Sequence, residues 1–251
     1  MNIVIPMAGA GSRFANAGYL DPKPLIKIYG VPMIRLVIEN IRPKIPHRFI
    51  FICQKSHLLE YALEEKLALW APGSITIGIS GLTDGAACTV LKARDLIDND
   101  QPLMIANSDQ FVNVDIDKYL MQMGASRNLD GLIMTMHASD SKWSFVGLDE
   151  ADLVNKVVEK EVISNEATVG IYNFRRGSDF VTSTDQMLNL NLRVNNEFYV
   201  APVYNQLIKK GKSIGFYNIG KVGAGMHGLG TPDDLDLFLK HPISKKVPQF
   251  L

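Results

Sequence analysis

At 251 residues and 47% hydrophobic content, the chain can bury the core of one large α/β domain. Its 26 Lys+Arg and 26 Asp+Glu cancel to a net charge of +0, which argues against a nucleic-acid surface or an acidic membrane partner, so any anion site must be local. No apolar run reaches the ~18–20 residues of a bilayer span, the N-terminus lacks the plan of a signal peptide, and Cys53 and Cys88 form no metal or CxxC pattern. The expectation is a soluble, cytoplasmic protein with two buried thiols.

Asn2 to Pro6 is continuously apolar, as in a strand covered on both faces. It breaks into Ala8-Gly9-Ala10-Gly11-Ser12-Arg13. Glycines two apart permit positive φ and close backbone approach, and such a loop at the carboxyl end of a first parallel strand is where open α/β sheets bind ligands. Its amides can cradle phosphate oxygens. Pro22 and Pro24 then hold Lys23 in an extended strap, because each fixes its own φ and restrains its predecessor. Arg13 and Lys23 are expected to converge on one polyphosphate.

Ile34, Val37, Ile38 and Ile41 recur at helical spacing behind Pro32. Residues 48–53 read as a second buried strand. Leu59, Leu63, Leu67 and Trp70 suggest one face of a single helix, capped by Ser56. Residues 74–79 are a third strand, followed by the small residues Asp84-Gly85-Ala86-Ala87, which open a helix. Such a run suits a tight turn or a flat base lying on bare backbone. Residues 102–106 are a fourth buried strand running into Asn107-Ser108-Asp109. A carboxylate there sits at the crevice and suits Mg²⁺, which takes one or two carboxylates with phosphate oxygens and water. Asp115 and Asp117 read as caps of the helix that follows.

From Asp130 the grammar changes. Residues 131–136, 143–148, 153–162 and 167–174 read as strand after strand, a mixed or antiparallel extension expected to build a second substrate pocket. A helix over 178–190 follows, and another is expected to open at 195–199. Residues 213–219 form a strand. Thr231-Pro232-Asp233-Asp234 starts a last helix after a glycine-dense run.

Taken together and in order, Gly9-Ala10-Gly11-Ser12-Arg13, Pro22-Lys23-Pro24 and Gly30-Val31-Pro32-Met33 resemble the signature of nucleotidyltransferases acting on phosphorylated small molecules. The sugar-1-phosphate pyrophosphorylases are the best known of these. The resemblance implies a Rossmann-like mixed, mainly parallel sheet flanked by helices, of the GT-A-like kind, with a β-rich acceptor-binding extension. Residues 1–251 would then be one domain, 1–129 its nucleotide-binding half and 130–251 its acceptor-binding half. The resemblance further implies that Ala8, Gly9, Ala10, Gly11 and Ser12 hold the nucleotide, chiefly its phosphates. Arg13 would stabilise pyrophosphate, and Lys23 would bridge the α-phosphate and the acceptor phosphate. Asp84, Gly85 and Ala86 would meet the base. Ser108, which replaces a family glycine, would also meet the nucleotide, beside Asp109, the Mg²⁺ ligand. Gly147, Glu159, Lys160, Thr168, Gly170 and Glu197 would face the acceptor. The chain departs from the family at Ala201-Pro202, which stand for Thr-Asp, and at Gly228, which stands for a second metal carboxylate. These departures leave a sugar, polyol, aminoalcohol or amino acid phosphate open as acceptor. CTP is the weakly preferred nucleotide, and a homodimer is possible. The rival readings are a non-catalytic nucleotide or sugar-phosphate binder with the same fold, and a dinucleotide-binding oxidoreductase. The latter lacks the third glycine, whose place Phe14 takes.

Overall fold

The computed structural model describes residues 1–124 and 128–250. β1 (Asn2–Pro6) leads through the glycine loop into the short α1 (Ser12–Asn16), then through a 3₁₀ turn at Lys23–Leu25 to a small hairpin of β2 (Lys27–Ile28) and β3 (Val31–Pro32). α2 (Met33–Ile41) returns to β4 (Arg48–Gln54). α3 (Lys55–Tyr61), α4 (Leu63–Trp70) and β5 (Ile75–Ile79) follow, then α5 (Ala86–Val90), α6 (Arg94–Ile97), β6 (Leu103–Ala106), β7 (Gln110–Val112) and α7 (Ile116–Gly124). The later part comprises β8 (Gly131–His137), β9 (Ser144–Leu148), β10 (Val154–Glu159), β11 (Glu166–Phe174), α8 (Gly177–Asn189), α9 (Tyr204–Lys209), β12 (Ile214–Val222), β13 (Gly225–Gly228) and α10 (Pro232–Lys240).

One sheet, in the order β5-β4-β1-β6-β11-β8-β12-β13-β7, runs through both parts of the chain. The β5-β4-β1-β6 portion is wholly parallel. β11 enters antiparallel to both β6 and β8, and the β9–β10 hairpin hangs from its early residues, with Phe145 paired to Ala167. The mixed extension expected after Asp130 is therefore continuous with the parallel sheet.

Side-chain alternation sorts the two faces. Ile3, Ile5, Phe49 and Phe51 pack with Ile34, Val37, Ile38 and Ile41 of α2 on one side. Val4, Ile50, Ile52 and Ile105 pack with Val90, Phe180 and Val181 on the other. A third cluster joins Phe14 to Ile26, Phe111, Leu229 and Phe238. Phe14 thus anchors α1 in the core and leaves its neighbour Arg13 exposed.

Two expected helices come out differently. The single helix over 56–70 is two, because Ala62 adopts φ 47 and ψ 44. Leu63 and Leu67 are buried, whereas Leu59 is 85% exposed and belongs to no core face. Residues 195–199 form an irregular strap with Asn195 and Asn196 at positive φ. Helical structure begins at the Ala201–Val203 3₁₀ turn, where Pro202 occupies a position that needs no backbone donor. Asp115 caps α7 by accepting from the amides of Asp117 and Lys118.

Candidate active site

The carboxyl ends of β1 and β6 put the glycine loop and the Asn107–Asp109 segment side by side. Gly11 takes φ 62 and caps α1, with its carbonyl accepting from the amides of Phe14 and Ala15. Gly9 has a different use. A Cβ built there would meet nothing within 4 Å, so no protein packing requires the glycine, and the bare backbone is open to a ligand. The strap carries Lys23 back across this loop, its Cβ lying 3.5 Å from the Cβ position of Gly11. The Lys23 Nζ donates to Asp109 Oδ2 at 2.5 Å.

Three cavities lie along the cleft, and the ion pair lines one of them. The smallest, about 220 Å³, lies between Gly9, Gly11, Lys23, Ser108 and Asp109. A second, about 320 Å³, is bordered by Ala8, Gly9 and Ala10 on one side and Thr83, Gly85, Ala86 and Thr89 on the other. A third, about 580 Å³, brings together Arg13, Ser144, Glu159, Lys160, Tyr172 and Tyr199, with Thr168, Gly170 and Glu197 also on its wall. Ala86 lines all three, and Asn107 lines the first and the third.

The third cavity is built by side chains. Ser144 and Glu159, directly opposite in the β9–β10 hairpin, share a short hydrogen bond. Glu159 is 8% exposed, and burial raises its pKa against the lowering effect of Ser144 and Lys160. Thr168 and Tyr172 hydroxyls lie 3.0 Å apart. The two are brought together by a bulge at Gly170, whose φ of 80 bends β11 between Thr168 and Tyr172. Lys160, itself at φ 57, donates to the Tyr199 hydroxyl at 2.7 Å and sits over that ring. This bond raises the Lys160 pKa.

The strap at 193–199 closes the cleft between the second and third cavities. Phe198 N–H donates to the Asp84 carbonyl at 2.7 Å, and its own carbonyl accepts from Ala87 N–H at 3.0 Å. Arg193 pairs with Asp84 at 3.1 Å and stacks on the Phe198 ring. Gly85 sits at φ 120, and a Cβ there would lie 2.5 Å from the Phe198 carbonyl oxygen. The sequence suggested a glycine that clears space for a base. In the structure that glycine also admits the backbone of a strap from the other half of the chain.

The placement of the expected residues is therefore uneven. Lys23 lines the small chamber with Asp109, and Arg13 lines the neighbouring large one, so they stand on adjoining walls. Ser12 is exposed and lines none of the three cavities. Asp84 turns to Arg193 instead of the cleft. Gly147 is packed against Asn155, Lys156 and Ile163, away from the large chamber, and Ser144 stands there in its stead. Ser144, Tyr199 and Asn107 carried no motif. Only pairing with Glu159 in a predicted hairpin could have nominated Ser144.

Asp109 offers an oxygen donor of the kind Mg²⁺ takes beside a polyphosphate. Among the described residues no group of three or more His, Cys, Asp or Glu side chains could hold a metal by itself. The donors fit an ion that completes its shell with phosphate oxygens and water. A Cβ at Gly230 would come 2.7 Å from Asp109 Oδ2, and one at Gly228 would come 3.5 Å from Asp234 Oδ2, so each glycine leaves room beside a carboxylate. Asp234 is engaged by the Thr231 hydroxyl at the start of α10. His227 is buried and its pKa is lowered to about 4 by burial and by His241. It is a neutral packing group.

A fold with this cleft is that of a nucleotidyl transferase, and the nucleotidyl transferase family profile matches residues 3–189 of the chain. The chain belongs to that family. The nucleoside-diphosphate-sugar pyrophosphorylase of Vibrio cholerae RC9 is 26% identical, with a TM-score of 0.80 over 95% of this chain and 99% of that one. The inositol-1-phosphate CTP transferase of T. maritima shares the fold at 14% identity, with a TM-score of 0.73 over 99% and 95% of the two chains. Among curated proteins, the bifunctional protein GlmU of Methanococcus maripaludis is 25% identical over 98% of this chain and 56% of its own length. The chain spans about half the length of the curated relatives it matches. No helix of the described residues is long and apolar enough to cross a membrane.

Proposed function

We propose that the chain transfers a nucleoside monophosphate from a nucleoside triphosphate to a phosphorylated small molecule and releases pyrophosphate. The observation that carries this reading is the Lys23–Asp109 contact in the small cavity beside the glycine loop, a cavity that shares Ala86 with the two larger ones. A phosphate oxygen of the acceptor forms a bond to the α-phosphorus as the bond to the β-phosphate oxygen breaks, and pyrophosphate leaves with the electron pair. The nucleophile arrives ionised, so the protein need not supply a base. Its task is to align the reactants and offset charge.

In this reading the open backbone of Gly9 to Gly11 receives the triphosphate, and Lys23 moves from Asp109 to phosphate oxygens. Gly85 and Ala86 form the base platform. Glu159, Lys160, Ser144 and Tyr199 orient the acceptor, with Arg13 on the wall of its chamber. Asp109 would hold Mg²⁺, which when bound supplies charge neutralisation on the triphosphate oxygens. CTP is the preferred donor of the proposal, consistent with the CTP transferase among the fold neighbours. The work is cytoplasmic, within one domain whose halves divide near residue 130, and a homodimer is the proposed assembly.

The test is a pyrophosphate-release screen with Mg²⁺. It crosses the ribonucleoside triphosphates and dTTP with phosphorylated sugars, polyols, aminoalcohols and amino acids. Acceptor-dependent pyrophosphate that disappears in Lys23→Ala is the expected result. Triphosphate binding by calorimetry with no release across the panel would favour a non-catalytic binder.

A further inference from the structure

A separate cavity of about 460 Å³ lies on the other edge of β10, between that strand, the end of α8 and α9. Its size falls within the roughly 300–1,000 Å³ of small-molecule sites. β10 pairs with β9 along one edge only. Along the other, the Asn205 carboxamide accepts from the Val157 amide at 2.8 Å and donates to its carbonyl at 2.7 Å. The strand edge is thus fixed by a side chain, and the cavity wall is a built one. Met187, Val194, Pro202 and Ile208 make the wall mainly apolar.

Two polar features stand out against that wall. Gln206 lines the cavity and is 5% exposed, yet its carboxamide has no hydrogen-bond partner among the described residues. The amide is open to the cavity, where solvent or a ligand can meet it. Lys156 and Lys209 are exposed and also line the cavity, and neither pairs with an acidic group among the described residues. Glu159 is the one carboxylate on the lining, and it is committed to Ser144 on the acceptor side. The mouth is cationic, the walls are apolar, and an unused amide lies within.

We propose that this cavity binds an amphipathic organic anion, an alkyl or prenyl chain bearing a single phosphate or carboxylate, with the chain against Met187, Val194 and Ile208 and the head between Lys156 and Lys209. The cavity shares Glu159 with the acceptor chamber of the proposed reaction, but its test needs no turnover. Octyl phosphate, below its micellar concentration, is titrated into the whole chain by calorimetry, beside butyl phosphate, 1-octanol and inorganic phosphate. Octyl phosphate is expected to bind, and affinity should rise by up to about fourfold per methylene that fits the cavity. Neutral octanol and inorganic phosphate should each bind about tenfold more weakly or worse, since each lacks one half of the recognition.

Ile208→Trp, which fills the cavity, should abolish binding. The surface variant Lys156→Glu/Lys209→Glu, which leaves the core intact, should weaken it by about tenfold or more. Binding of octanol as tight as that of octyl phosphate would overturn the proposal, as would binding undiminished in the charge variant. So would failure to capture octyl phosphate, whether the lysine variant then altered self-association in sedimentation, assigning the face to a second copy, or altered flotation with phosphatidic acid vesicles, assigning it to a membrane surface.

Discussion

The two sides of the cleft are made from different materials. The side proposed for the nucleotide presents backbone: Gly9 with open space over its Cα, and Gly85 and Ala86 at the start of α5. Its charged side chains, Lys23 and Asp109, are bound to each other. The side proposed for the acceptor presents side chains from β9, β10, β11 and the 193–199 strap, linked by Ser144–Glu159, Thr168–Tyr172 and Lys160–Tyr199. A backbone surface is common to all triphosphates and tolerates little substitution. A surface of side chains can be recut for each acceptor without touching the fold. In the proposed reaction, triphosphate and acceptor would thus be read by different parts of the molecule.

The sharpest way to break this contrast is Lys23→Ala. If Lys23 acts on phosphates, pyrophosphate release falls by about 10²–10³-fold, while the thermal midpoint moves by no more than about 2–4 °C. A large loss of thermal stability would instead make the ion pair structural. Gly85→Ala is next. It forces a Cβ into the Phe198 carbonyl from a backbone at φ 120, and urea denaturation should show a loss of about 1–3 kcal/mol.

Glu159→Gln tests the acceptor side through pH. The folded-state pKa of Glu159 is raised by burial, so the folded protein holds its proton over a range in which the unfolded chain has released it. Wild-type stability should therefore decline relative to the variant as pH rises from the ordinary carboxylate pKa through the raised one. Denaturation at stepped pH reads this directly, and a difference of opposite slope would refute the buried-carboxylate assignment. The smallest effect is chemical. Cys53 is fully buried, with its thiol pushed up to about 12, so iodoacetamide at neutral pH should label it only after unfolding. Cys88, half-buried on α5, should react first.

The same contrast governs what could be read from the sequence. Glycines at fixed spacing and a Pro-Lys-Pro strap constrain backbone locally, so the course of the glycine loop and of the strap that carries Lys23 was legible residue by residue. Buried parallel strands announced themselves as apolar runs, and Asp109 as the carboxylate ending one of them. The acceptor chamber depends on strand register, which a single chain states weakly. Gly147 and Ser144 lie in one short strand, and only the pairing of Ser144 with Glu159 shows which of them faces the chamber. The role of Phe198 against Gly85 was unreadable, because it joins residues over a hundred positions apart through backbone that any sequence shares. The break at Ala62 carries no local signal, since alanine is a strong helix former held there against its preference.

The contact between Lys23 and Asp109 also describes the protein at rest. A lone ammonium in a glycine-lined cleft would collect inorganic phosphate, and a lone carboxylate would collect stray divalent ions. Joined, they present neither charge. A visitor must satisfy both partners to part them, and in the proposed reaction a triphosphate with its metal ion does so: oxygens for the lysine and a cation for the aspartate. The ion pair is in this sense a closed circuit, which in the proposed reaction is opened by a molecule that carries both charges.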